Sequence, residues 1–174
     1  MRSIKGFILS IVGLFIMITL VSLLIPSNVV VSRGVEINGK APAIFNEISD
    51  LRNWKHWQPV FKSDSAKLNF SGDSAGISNT CTWESNGKKN TLHINTRSAN
   101  MVTAILQREG ENEVINMISI LPLPDSNQVQ VEWRSLTKLK WYPWEKFYGI
   151  FVEKLTGPGY EAALNSLKSY TEGH

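Results

Sequence analysis

The stretch that decides the fold runs from Val35 to Phe61 and reads VEINGKAPAIFNEISDLRNWKHWQPVF. Its first residues complete a β-branched, partly alternating segment, Val29 to Ile37, which predicts a first strand. Ala41 and Pro42 then open a short helix, because proline is favoured at the first helical position, where its missing N–H is not needed. The helix carries an apolar stripe formed by Ile44, Phe45 and Ile48. Followed by a run of antiparallel strands and a final helix, as described below, this start predicts an α+β domain.

The end of this stretch, DLRNWKHWQPVF, predicts a second short helix that is rich in aromatic residues. Asp50 is placed to cap it, since a carboxylate accepts hydrogen bonds from the free N–H groups of a first turn. The helix runs from Leu51 to about Trp57 and ends before Pro59. Large rings such as Trp54 and Trp57 need burial or a partner surface.

Downstream, the sequence alternates in the way that antiparallel strands do. Six further strands are predicted: Lys67–Ser71, Gly76–Ser85, Lys88–Arg97, Met101–Arg108, Glu113–Leu121 and Gln128–Leu139. Asn86 and Gly87 form the strongest turn signal, because both tolerate the positive φ angles of a two-residue hairpin. Successive hairpins predict one antiparallel sheet of about seven strands.

A long C-terminal helix starts at Pro143. Its apolar residues form two stripes: Trp144, Phe147, Phe151 and Leu155, then Tyr160, Ala163, Leu164 and Leu167. At about 100° per residue the two stripes point to nearly opposite sides of a straight helix. Gly157-Pro158-Gly159 lies between them, so we expect a break or sharp kink there that lets both halves face the same sheet.

The chain opens with an apolar leader, GFILSIVGLFIMITLVSLLI, from Gly6 to Ile25. As a helix this segment would span roughly 30 Å, the thickness of the hydrocarbon core, and Pro26 would end it. A cleaved signal peptide is the competing interpretation. Its apolar core would normally be about 7–15 residues long and followed by a cleavage site of small residues, whereas this segment is longer and lacks such a site.

Basic residues flank the leader unevenly. Arg2 and Lys5 precede it, and the next basic residues are Arg33 and Lys40. The positive-inside rule therefore predicts a cytoplasmic tail at residues 1–5 and a transmembrane helix at 6–25. A tether at 26–34 and a domain at 35–172 would follow on the periplasmic or extracellular side.

The composition excludes several classes of function. The 174 residues carry 18 Lys and Arg against 15 Asp and Glu without a basic block, which argues against a nucleic-acid partner. Cys81 is the lone cysteine, so neither an intramolecular disulfide nor a cysteine-based zinc site can form. The histidines lack metal-ligand spacing, and nucleotide-binding and Ser-His-Asp motifs are missing, so we predict no metal, no cofactor and no catalytic residue.

Three local patterns resemble the SRPBCC or START-like superfamily, whose members are described broadly as polyketide cyclase/dehydrase-like. The first is Asp-x-x-x-Trp-x-x-Trp-x-Pro, here Asp50, Trp54, Trp57 and Pro59. The second is the late Val-x-Trp strand within Gln128–Trp133. The third is the final helix pattern, here Glu161, Leu164, Leu167 and Lys168. The resemblance covers about residues 29–172, and the membrane leader and the Gly-Pro-Gly interruption depart from it.

The resemblance implies a helix-grip fold, in which a curved sheet grips the last helix and leaves an apolar cavity between them. It does not imply one function, since this fold hosts lipid carriers, sensors of hydrophobic ligands, cyclases and chaperone activators.

Strand alternation selects the side chains that would line such a cavity. The candidates are Asn79, Cys81, Trp83, Ile94, Thr96, Asn116, Val131 and Trp133, together with Phe147 and Phe151 from the last helix. This mostly apolar set suits a hydrophobic small molecule, although the same residues would equally well fill a solid core. Asn79, Thr96 and Asn116 would need hydrogen-bond partners from a ligand, from each other or from water.

An aromatic patch formed by Trp141, Tyr142 and Trp144 lies among lysines. It would touch the bilayer, close the cavity mouth or simply pack on the last helix.

Three functions remain open. The first is a membrane-anchored module that binds a lipid or another hydrophobic small molecule, and the second is a cyclase/hydratase-like enzyme, which would need a titratable group in the cavity. The third is a ligand-free module that binds a protein partner through the patch.

Overall fold

The computed structural model describes residues 2–62, 67–72, 78–124 and 127–173. Its elements, in chain order, are α1 (Arg2–Ser22), β1 (Asn28–Asn38), α2 (Ala41–Ser49), α3 (Trp54–Trp57), α4 (Pro59–Lys62), β2 (Asn69–Gly72), β3 (Ser78–Ser85), β4 (Lys88–Arg97), β5 (Met101–Arg108), β6 (Val114–Pro122), β7 (Gln128–Lys138) and α5 (Pro143–Glu172). The strands form one seven-stranded antiparallel sheet in the order β1-β7-β6-β5-β4-β3-β2. The predicted α+β architecture, a curved sheet around a long C-terminal helix, is confirmed.

Hairpins build most of the sheet, and the turn residues explain where the chain reverses. Asn86 and Gly87 take φ angles of 52° and 73°, as the two-residue hairpin between β3 and β4 requires. The bounds of β4 and β5 agree with the prediction. The first two residues of the strand predicted at Gly76–Ser85 lie outside the described residues.

The aromatic stretch after α2 closes the end of that helix. Each of the last four carbonyl oxygens of α2 accepts a hydrogen bond from a side chain further along the chain. For Asn46, Glu47, Ile48 and Ser49 the donors are Asn53 Nδ2, Trp57 Nε1, Trp54 Nε1 and Arg97 Nε, at 3.0, 3.2, 3.0 and 2.8 Å. Because helix ends leave such carbonyls without backbone partners, these donors fix α2 against α3 and the sheet.

The first strand begins earlier than the predicted tether allows. Asn28 pairs with Lys138, and the register continues without a shift to Asn38 and Gln128. The expectation that residues 26–34 form a tether is therefore corrected, since from Asn28 onward they belong to the sheet. Their β-branched side chains favour strand geometry, and β7 supplies the hydrogen bonds that a free tether would lack.

The last helix is continuous, so the expected break at Gly157-Pro158-Gly159 is wrong. A single inward stripe runs its whole length at spacings of three and four: Lys146, Gly149, Val152, Thr156, Tyr160, Ala163, Leu164 and Leu167. Because this stripe faces the sheet throughout, both halves of the helix reach the sheet without a break. Near its start, α5 crosses β1 closely at Gly149, where a Cβ would lie 3.2 Å from Val29 Cγ2.

The leader forms α1, whose Ile4–Ser22 segment is long and apolar enough to cross a membrane by length and composition. The helix ends at Ser22 rather than at Ile25, and Leu23 and Leu24 follow it as a turn. Its end is held by the domain: Lys146 Nζ donates hydrogen bonds to Ile25 O, at 2.9 Å, and to Ser27 Oγ.

Candidate functional site

A cavity of about 350 Å³ lies between the sheet, the short helices α3 and α4, and the middle of α5. This volume falls within the range of about 300–1,000 Å³ in which proteins bind small molecules. Its described wall includes five aromatic side chains: Trp54, Phe61, Trp83, Trp133 and Tyr160. Aliphatic side chains complete it: Leu92, Leu106, Val114 and Val152. The wall suits a ligand whose surface is largely hydrophobic.

The aromatic rings of the wall support one another. Trp133 lies at the centre, with ring centroids 5.6 Å from Trp54 and 5.1 Å from Tyr160. Phe61 meets Trp83 edge-on at 5.5 Å. The Trp54–Trp133 and Phe61–Trp83 contacts are edge-to-face, which is a favourable arrangement at such distances. Rings of the α3–α4 segment therefore pack against rings of the sheet and form one continuous wall of the cavity.

A polar strip crosses this apolar wall on the two neighbouring strands β6 and β7. Asn116 lies opposite Ser135 in the strand register, and Val114 lies opposite Thr137. Asn116 Oδ1 accepts a hydrogen bond from Trp133 Nε1 at 3.0 Å, and its Nδ2 donates to Val114 O at 3.3 Å. Ser135 is only 3% exposed and lines the cavity. Among the described residues its hydroxyl has no hydrogen-bond partner, so it is available to a polar atom in the cavity.

Exposed lining residues mark where the cavity meets the surface, and two groups of them differ in chemistry. On one side Val60 of α4 faces Leu155 and Gly159 of α5, and all three are exposed. No atom lies within 4 Å of the point where a Gly159 Cβ would be, so the space there is open. On the other side lies Arg108, at the end of β5, where its Nη1 is 3.4 Å from Glu111 Oε2. The first group forms the apolar opening, and the second contains the Arg108–Glu111 ion pair.

Three of the ten predicted cavity residues line it: Trp83, Asn116 and Trp133. Cys81, Ile94 and Val131 point inward as alternation predicts, but they are buried in the core beside the cavity. Side chains there meet neighbours on all sides, which sequence cannot distinguish from lining an empty space. The core alternative is therefore the better description of these three.

The other predicted positions lie elsewhere. Thr96 is exposed, because a register shift between Ile94 and Thr96 adds one residue to β4 and reverses the alternation beyond it. Asn79 is half-buried, does not line the cavity, and accepts a hydrogen bond from Thr80 Oγ1 at 3.2 Å. Phe147 and Phe151 are exposed on the outer face of α5, since the inward stripe uses the opposite side of the helix. The expectation that these side chains line the cavity is corrected.

The lining residues that the sequence prediction missed include Ser135, Thr137, Val152, Gly159 and Tyr160. The two strand residues continue the alternation of Val131 and Trp133, so extending that pattern would have found them. The three helix residues could be predicted only by knowing which stripe of α5 faces inward.

No carboxylate, imidazole or thiol occurs among the described lining residues. Burial raises the pKa of Cys81 to about 12, and its thiol is enclosed by the core. His56 binds Glu47 at 3.2 Å and His93 binds Thr80 at 2.8 Å, both away from the cavity. Among the described residues, no cluster of three or more His, Cys, Asp or Glu side chains could hold a metal ion.

The predicted aromatic patch lies at the surface, just before and within the first turn of α5. Trp141 and Trp144 are exposed, and Tyr142 is half-buried between them. The rings of Tyr142 and Trp144 stack at 5.0 Å with an interplanar angle of 8°. These rings contact one another rather than the cavity.

No family model and no curated protein matches the sequence. Solved structures do match the fold. A START superfamily protein from Mycobacterium smegmatis aligns with a TM-score of 0.65 at 20% identity, over 83% of this chain and 98% of that chain. XoxI from Bacillus cereus aligns with a TM-score of 0.57 at 16% identity, over 82% and 95%. DynU16, a protein in the dynemicin biosynthetic locus, aligns with a TM-score of 0.56 at 11% identity, over 82% of this chain and 47% of that chain.

These likenesses show the fold. The chain has the helix-grip fold of START superfamily proteins, with one apolar helix in front of it. At such identities the residues of a site are free to differ, because a shared fold does not carry a shared chemistry.

Proposed function

We propose that this chain is a membrane-anchored module that binds a lipid or another hydrophobic small molecule in the cavity under α5. The observation that carries the proposal is the aromatic cavity of about 350 Å³ in a domain whose α1 is apolar enough to span a bilayer. Hydrophobic ligands concentrate in membranes, so an anchor keeps the cavity near its ligand. Arg2 and Lys5 favour a cytoplasmic N-terminus and an exported domain.

The ligand has an apolar body and one oxygen-bearing end. The aromatic wall receives the body, and the Asn116–Ser135 strip receives the oxygen, because the Ser135 hydroxyl lines the cavity and can bond a polar atom of the ligand. Arg108 at the rim is paired with Glu111, and its guanidinium offers further N–H donors to an oxygen-bearing end. Fatty acids, sterols and isoprenoid alcohols share this chemistry.

Native mass spectrometry of the full-length chain released from phosphatidylcholine nanodiscs tests the proposal. With oleic acid added, we expect one bound ligand per chain. Ser135→Leu fills the cavity wall and should lose the adduct. Ser169→Leu, on the exposed outer face of α5, should keep it.

Two further variants keep this experiment decisive. Ser135→Ala removes only the hydroxyl and should weaken oleic acid binding without abolishing it. Gly159→Leu blocks the apolar opening at a place with free space, so it serves if Ser135→Leu does not fold. An adduct of equal occupancy in wild type, Ser135→Leu and Gly159→Leu would contradict the proposal.

An enzyme of the cyclase or hydratase type is the alternative. It needs a general acid or base within hydrogen-bond reach of the substrate. The described lining offers only the Tyr160 phenol and the Arg108 guanidinium as ionisable groups. The geometry therefore favours binding over catalysis.

A further inference from the structure

The first half of α5 exposes an unusually apolar outer face. Trp144, Tyr148, Phe151 and Leu155 recur at spacings of three and four, so they form one stripe along the helix. Their exposed fractions are 63%, 54%, 57% and 62%. Phe147 and Ile150 widen the stripe on one side. Soluble proteins rarely expose contiguous apolar surface of this kind unless something covers it.

Nothing within the described domain covers this stripe. The opposite side of the same turns, at Lys146, Gly149 and Val152, is buried against the sheet and the end of α1. Opposite sides of the same helical turns cannot both face the sheet, so the outer stripe faces away from the domain. Whatever covers the stripe therefore does not belong to the described domain.

The contacts between α5 and the end of α1 indicate what covers the stripe. Lys146 Nζ bonds Ile25 O and Ser27 Oγ, so the point where the anchor leaves the domain is fixed on the helical turn that carries Trp144, Phe147 and Tyr148. Gly149 brings β1 against the next turn. Because the anchor and this half of α5 are joined by direct contacts, the stripe lies close to the end of the membrane-spanning segment.

The residue types agree with the interface of a bilayer. Trp and Tyr concentrate at headgroup depth, where one part of the ring is apolar and the other meets water. Trp141, Tyr142, Trp144 and Tyr148 are of this kind, and exposed Lys140 and Lys154 stand beside them. Beyond Pro158 the outer face becomes polar, with Glu161, Asn165 and Ser169 exposed.

We propose that the first half of α5 lies in the headgroup region of the same bilayer that holds α1, with Trp144, Tyr148, Phe151 and Leu155 against lipid. This inference rests on the proposed anchoring and deepens it. Leu155 and Val60 border the apolar opening of the cavity. Docking of the stripe places that opening at the membrane surface, so a ligand enters from lipid rather than through water.

Spin labels at single cysteines in the full-length chain, reconstituted in phosphatidylcholine–phosphatidylglycerol vesicles, test this inference. Cys81 is 0% exposed and stays unlabelled in the folded chain. Labels at Phe151→Cys and Tyr148→Cys should collide several-fold more with oxygen, relative to a water-soluble nickel chelate, than labels at Asn165→Cys and Ser169→Cys. The four sites lie on one helix, so the polar pair is a matched control.

Two outcomes would overturn the inference. One is equal access of the nickel chelate to labels at positions 148, 151, 165 and 169. The other is protection that comes with spin–spin broadening and disappears when labelled chain is diluted with unlabelled chain, which would show that a second copy covers the stripe.

A label at Leu14→Cys separates this inference from the anchoring on which it rests. If Leu14→Cys is lipid-accessible while the α5 labels meet water, anchoring stands and the docking of α5 fails. If Leu14→Cys itself meets water, both fail.

Discussion

The two halves of α5 face the same sheet but differ on the outside. From Pro143 to Thr156 the inner stripe includes Lys146 and Gly149, and the outer face is aromatic. From Gly157 to Glu172 the inner stripe is apolar, with Tyr160, Ala163, Leu164 and Leu167, and the outer face is polar. The difference teaches that a stripe of apolar residues indicates a surface shielded from water, and that either the protein core or another neighbour can provide the shielding. In the second half that neighbour is the core, and in the first half we infer that it is lipid.

The largest expected effect is a difference in stability between a substitution in the inner stripe of α5 and one in its outer stripe. Leu164 is 1% exposed and Leu155 is 62% exposed. Leu164→Ala should lower the free energy of unfolding by about 2–5 kcal/mol, because it leaves a cavity in the core. Leu155→Ala should change it by no more than about 0.5 kcal/mol. Thermal unfolding in detergent micelles, followed by near-ultraviolet circular dichroism, measures both, and similar losses would refute the assignment of the faces.

The next effect tests the junction between the first half of α5 and the anchor. Lys146→Met removes the ammonium that bonds Ile25 O and Ser27 Oγ. Leaving those groups unpaired should cost about 1–3 kcal/mol. Hydrogen exchange of residues 23–29, read by mass spectrometry, should become faster. Exposed Lys154→Met is the matched control, and equal exchange in both variants would count against a rigid junction.

A smaller effect compares two glycines in the middle of the helix. Gly159→Ala meets no atom within 4 Å, so it should raise the free energy of unfolding by about 0.5–1 kcal/mol through helix propensity. At Gly157 a Cβ would displace the Arg33 guanidinium, which also bonds Glu153 Oε1 at 3.3 Å. Gly157→Ala should therefore gain less than Gly159→Ala or lose stability. Chemical unfolding of both variants measures the difference, and equal gains would show that Arg33 moves without cost.

The smallest effect concerns the start of the helix and depends on pH. Burial raises the pKa of Glu145, but hydrogen bonds from Asn112 Nδ2 and the Lys140 N–H, with the Lys140 charge, outweigh it and leave the pKa below its usual value of 4.5. The carboxylate therefore stabilises the fold above pH 4.5, and the stabilisation is lost as the pH falls through the lowered pKa.

Unfolding curves of wild type and Glu145→Gln between neutral and acidic pH measure this contribution. The difference in stability between the two proteins should shrink in acid, because protonated Glu145 resembles glutamine. A difference that does not vary with pH would contradict the lowered pKa.

Much of the fold was predictable because its signals are local. The Asn86-Gly87 turn, the Pro42 helix start and the alternation of β4 and β5 each depend on neighbouring residues alone. The strand order was partly predictable for the same reason, since successive hairpins pair in sequence. Pairing of β1 with β7 joins the two ends of the domain, and no local pattern encodes that pairing.

The cavity was less predictable, since its lining depends on distant contacts. Alternation identified Trp83, Asn116 and Trp133, but it also selected Cys81 and Val131, which neighbours enclose completely. Thr96 failed at a register shift that becomes apparent only when β4 meets β5.

The sequence by itself determined the elements, the antiparallel sheet and an apolar leader long enough to span a bilayer. Side-chain period and turn chemistry act over a few residues, so they can be read without the fold. Only the tertiary structure decided which stripe of α5 faces the sheet, that the cavity stays open beside Ser135, and that Lys146 holds the end of α1. Each of these three features depends on the distance between elements that are far apart in sequence, and the packing of the whole domain sets that distance.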